Sequence, residues 1–73
     1  MHKAVLQERL AKAQRHIAVG QTTIERQSTV IERLEADGRI AMAESARDTL
    51  KILLQSQKLY ERDRDRLMAE LAR

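Results

Sequence analysis

The sequence predicts an all-α fold: an antiparallel two-helix hairpin, coiled-coil-like, that dimerises into a four-helix bundle. Three observations predict it. Proline is absent and glycine occurs twice in 73 residues. Apolar residues recur at alternating steps of four and three along both halves of the chain, the spacing of a heptad repeat. Between the halves stands one strong helix-ending signal, Asp37-Gly38, where glycine can take the left-handed conformation that closes a helix.

The first helix is expected over about residues 3–36. Its seam is Leu6, Leu10, Ala13, Ile17, Gly20, Ile24, Ile31 and Leu34, with Gln27 in the one gap. The neighbouring row of Gln7, Gln14, Gln21 and Ser28 is polar, so this seam is narrow. The turn follows at 37–39. Arg39-Ile40-Ala41 offers no Ser, Thr, Asp or Asn to cap the next helix, which leaves Gly38 or the Asp37 carboxylate for that role.

The second helix is expected over about residues 40–72, which makes residues 1–73 a single hairpin domain. Its seam is Ala43, Ala46, Leu50, Leu53, Gln57, Tyr60, Arg64, Leu67 and Leu71, and a flanking row adds Ile40, Leu54 and Met68. That stripe is wider than the first, as in a globular bundle. Ile52 and Leu59, seven apart, fall on the far side. Folding at the turn pairs residues whose numbers sum to about 74: Ile24 with Leu50, Leu6 with Leu67, Ala13 with Tyr60, and Gly20 with Leu53 and Leu54. Small side chains then face large ones in successive layers, as interdigitation requires.

Composition narrows the function classes. A chain this short buries little surface by itself and usually needs a disulfide, a metal or a partner subunit. There is no cysteine, which removes disulfides and thiolate metal sites. Two histidines, His2 and His16, are too few for a zinc site within one chain. No apolar run approaches the ~20 residues of a membrane-spanning helix. The opening residues turn polar too early for a signal peptide, and a cytoplasmic location without membrane contact is expected.

Catalysis has no candidate residues. No Ser/His/Asp arrangement, Gly-rich phosphate loop or calcium-loop spacing is present, so neither enzymatic activity nor a cofactor is expected. Gln27, Gln57 and Arg64 interrupt the seam, and a polar seam residue sets register at some cost in stability. His16 reads as a boundary residue beside Tyr60 and Gln57. Glu61-Arg62-Asp63-Arg64-Asp65-Arg66 reads as a solvated face with i,i+3 pairs Glu61–Arg64, Arg62–Asp65 and Asp63–Arg66.

The net charge of +3 is uneven. Residues 1–20 and 56–73 hold nine basic and five acidic side chains, and residues 21–55 hold five and six. The open end of the hairpin is therefore basic, with Lys3, Arg9, Lys12, Arg15, Lys58, Arg62 and Arg66 as a candidate patch for phosphates. Interleaved acids, and the lack of aromatic platforms for single strands, place nucleic acid behind a protein partner.

The stretch His16-Ile17-Ala18-Val19-Gly20, then Ile24-Glu25-Arg26-Gln27, then Leu34-Glu35-Ala36-Asp37-Gly38, resembles a group of short alpha-proteobacterial proteins, rhizobial ones among them. Asp63-Arg64-Asp65-Arg66-Leu67 is similar to the end of that group, so the resemblance spans roughly residues 16–67. Arg39-Ile40-Ala41 departs from the capping Asp or Thr usual there. The resemblance implies a helical protein and brings no activity.

The expected function is a non-enzymatic helical interaction or oligomerisation module. A homodimer is expected, with an unidentified protein partner as a further possibility. The candidate self-association face is Ile40, Leu54, Met68, Ile52 and Leu59. The alternative is a small accessory nucleic-acid-binding protein that uses the basic open end.

Overall fold

The computed structural model describes residues 2–73, in which two α-helices pack against each other. Helix α1 is Lys3–Ala36 and helix α2 is Ile40–Leu71, the second ending one residue short of its expected limit. Both are rich in Ala, Leu, Glu, Gln, Lys and Arg, which lose little freedom in a helix. Four threonines on exposed positions are accommodated by hydrogen bonds from their hydroxyls to the carbonyl four residues earlier, as Thr23 to Val19 at 3.0 Å.

Three hydrogen bonds close α1. Asp37 N–H donates to Arg33, Gly38 N–H to Glu35 and Arg39 N–H to Leu34, at 2.9–3.0 Å. The last two form a Schellman closure, which requires a left-handed residue. Gly38 supplies it with φ of 72°. Arg39 occupies the N-cap of α2, and no side chain caps either helix. Neither Gly38 nor the Asp37 carboxylate takes the capping role. Long and without side-chain caps at their N-termini, the helices depend on the seam between them.

The seam is thin. Its buried hydrophobic members are Leu6, Ala13, Ile31, Ala43 and Leu67. Near the open end Leu6, Ala13 and Leu67 cluster, with Leu10 and Leu71 packed against them. Two glutamines staple the helices reciprocally. Gln27 Nε2 of α1 donates to the Ala46 carbonyl of α2 at 2.9 Å, and Gln57 Nε2 of α2 donates to the Ile17 carbonyl of α1 at 2.7 Å. These bonds join residues whose numbers sum to 73 and 74, which is the register of the hairpin.

Gly20 differs from expectation. The heavy atoms nearest to its missing side chain belong to Gln57, not to Leu53 or Leu54. The reason is directional. Helix side chains lean toward their own N-terminus, so Gln57 leans toward the turn, from the level of Ile17 to that of Gly20. Ala13 is 4% exposed, whereas Tyr60 is 39% exposed.

The resulting rod measures 54 × 14 × 13 Å with a radius of gyration of 16.5 Å, against ~11 Å for a globular chain of this length.

Candidate functional site

The five apolar residues expected to mediate self-association are all exposed, but they lie on two faces. Ile40, Leu54 and Met68 recur every fourteen residues and form a row along one flank of the seam. Their exposures are 59%, 43% and 50%. Ile52 and Leu59 are more open, at 63% and 64%. At ~100° per residue, Leu59 stands about 140° around the helix from Leu54. One flat partner cannot cover both sets.

The row has charged members that the sequence reading passed over. Arg47 and Glu61 sit midway between its apolar residues, at the same seven-residue spacing, and that spacing was the available signal. Both are half-buried. Arg47 Nη2 donates to Glu35 Oε2 at 2.9 Å. Glu35 continues the α1 row of Gln7, Gln14, Gln21 and Ser28 at the same spacing. The two rows therefore share one side of the hairpin, apolar along α2 and mainly amide along α1.

Val30 and Met42, exposed near the turn, are further apolar positions outside the sequence-derived face. So is Val19, at 67%. It stands two residues past the seam residue Ile17 and so points away from α2.

At the open end, Lys3, Arg9, Lys12, Arg15, Lys58, Arg62 and Arg66 are all exposed. The structure brings three of them together: Arg9, Lys12 and Arg66 line an open cleft of about 430 Å³ with His16, Tyr60 and Asp63. The His16 and Tyr60 rings stack, with centroids 4.8 Å apart and planes 3° from parallel. Asp63 accepts a hydrogen bond from Arg66, as the i,i+3 spacing predicted. Arg64 instead pairs with Asp65 at 3.0 Å, so the expected Glu61–Arg64 pair does not form. In this cleft a carboxylate already offsets one cation.

Of the polar seam residues, Gln27 and Gln57 bond across the hairpin, whereas Arg64 bonds within α2. Gln57 is 7% exposed and bonded to α1, and among the described residues no buried side-chain polar atom lacks a hydrogen-bond partner. Among these residues no group of three or more His, Cys, Asp or Glu is placed to hold a metal ion, and no helix is long and apolar enough to cross a membrane.

No family model, curated protein or solved structure matches the chain. The resemblance to short alpha-proteobacterial proteins therefore rests on the quoted stretches alone.

Proposed function

We propose that the chain is a non-enzymatic helical interaction module that acts through self-association, two hairpins forming a four-helix bundle. The observation that carries this reading is the uncovered row of Ile40, Leu54 and Met68 beside a seam that buries few large side chains. Burying a Leu, Ile or Met side chain contributes roughly 1.5–3 kcal/mol, so the row is a strong association surface for so small a chain.

Surface area points the same way. The hairpin exposes 5800 Å², whereas a compact monomer of this size exposes ~4,600 Å². The difference, ~1,200 Å², exceeds the ~800 Å² that each partner buries in a standard interface. Sedimentation at micromolar concentration tests the proposal. The expected result is twice the chain mass, and a well-folded monomer at that concentration overturns it.

A second reading has one observation in its favour, the cleft that gathers Arg9, Lys12 and Arg66 at the open end. It makes the chain a small accessory protein that contacts nucleic-acid phosphates. Phosphate binding weakens steeply with salt because counterions are released. A gel-shift titration of duplex DNA or RNA at two salt concentrations separates the readings. Binding at low salt that collapses at high salt supports the second, and no binding at either overturns it.

A further inference from the structure

Resting on self-association, we infer that α2 packs antiparallel against α2 of a second copy, about a two-fold axis that passes beside Leu54. The row on α2 reads Ile40, Arg47, Leu54, Glu61, Met68 at seven-residue intervals. It is centred on Leu54 in both size and charge. A two-fold axis there sets Leu54 against Leu54 of the second copy, Ile40 against its Met68, and Arg47 against its Glu61. The symmetry repeats each contact, so one arrangement produces two ion pairs between copies and a continuous apolar line.

The other arrangements fail on the same row. Parallel packing of the two α2 helices stacks Arg47 on Arg47 and Glu61 on Glu61, and like charges directly opposed are unfavourable. Packing α2 over α1 of the second copy lays Leu54 on the glutamine row. The antiparallel order also brings the α1 rows together, where Gln21 lies near the axis and glutamine amides can donate and accept across it. Arg47 uses Nη2 for Glu35, and its remaining N–H groups are available in a guanidinium with five donors. Glu61 makes no ion pair among the described residues.

Single-cysteine variants test this geometry cleanly, because the natural chain has no cysteine. A disulfide needs Cα atoms roughly 4.4–6.8 Å apart. In the antiparallel dimer, position 40 lies ~42 Å from position 40 of the second copy, at ~1.5 Å per residue. Leu54→Cys is therefore expected to cross-link to itself on oxidation. Ile40→Cys and Met68→Cys are each expected to remain uncross-linked alone and to link when mixed. Self-linking of Ile40→Cys as readily as Leu54→Cys, or no linking at any position in a sedimenting dimer, overturns the geometry while leaving self-association intact. A monomer by sedimentation of the unmutated chain overturns both.

A charge swap gives a second, independent readout in a Glu35→Ala background, which removes the ion pair within the hairpin. Arg47→Glu and Glu61→Arg are each expected to raise the dimer Kd by about tenfold, because two-fold symmetry doubles each repulsion. The combined variant is expected to return near the starting value. A combined variant as weak as either single one overturns the pairing of Arg47 with Glu61.

Discussion

Gln57 fills the space that Gly20 leaves by having no side chain: a Cβ at Gly20 would stand 2.9 Å from Gln57 Cδ and closer still to Oε1. Gly20 lies within α1, so no unusual backbone angle calls for glycine there. Its role is to admit the amide that bonds to the Ile17 carbonyl.

A sign reversal is expected from this contact. Gly20→Ala by itself gains ~1 kcal/mol of helix propensity but displaces Gln57 and breaks its part-buried hydrogen bond to Ile17, leaving a net loss of stability. In a Gln57→Ala background nothing obstructs the methyl group, and the same change is expected to stabilise by up to ~1 kcal/mol. Urea titrations of the four proteins of the cycle measure the coupling. Equal effects in both backgrounds would show that the two residues do not interact.

Gly38 is required by its backbone rather than its surroundings, since nothing lies within 4 Å of an added Cβ and φ is 72°. Gly38→Val is expected to destabilise by about 1–2 kcal/mol, because β-branched residues tolerate the left-handed region poorly. Thermal unfolding followed by circular dichroism checks this. An unchanged midpoint would mean that the turn does not need glycine.

Arg39 places a cation at the N-cap of α2, where no side chain bonds the helix. Arg39→Asp is expected to stabilise by ~1 kcal/mol through a cap to the first-turn N–H groups and a favourable charge at the helix start. A rise in the unfolding midpoint is the readout, and a fall would exclude the capping geometry.

Leu67 is 3% exposed within the cluster of Leu6 and Ala13. Leu67→Ala is expected to cost roughly 2–4 kcal/mol, enough to unfold much of the chain at ambient temperature. Leu59→Ala, on an exposed site, is expected to change stability by less than ~0.5 kcal/mol. Equal losses at the two positions would contradict the seam as drawn.

Leu54→Glu combined with Met68→Glu is expected to shift the sedimenting species toward monomer and to reduce helicity. Neither residue is buried in the hairpin, so the loss would report a surface covered by association. Unchanged mass and helicity would leave this row without a structural role.

Local spacing determined most of the hairpin. The alternation of four and three fixes which side of a helix is apolar, and Asp37-Gly38 is the one place where the backbone could reverse. Both are properties of neighbours in the chain, which is why the helix limits and the seam were legible. The row of Ile40, Leu54 and Met68 was legible for the same reason. What only the tertiary structure decided are contacts across the seam. Whether Gln57 would meet Gly20 or Leu53 would do so depends on how far each side chain leans along its helix, which periodicity does not encode. The choice of Glu35 by Arg47 likewise turns on the reach of long side chains once two helices lie side by side, whereas the choice of Asp65 over Glu61 by Arg64 is made by rotamers within α2.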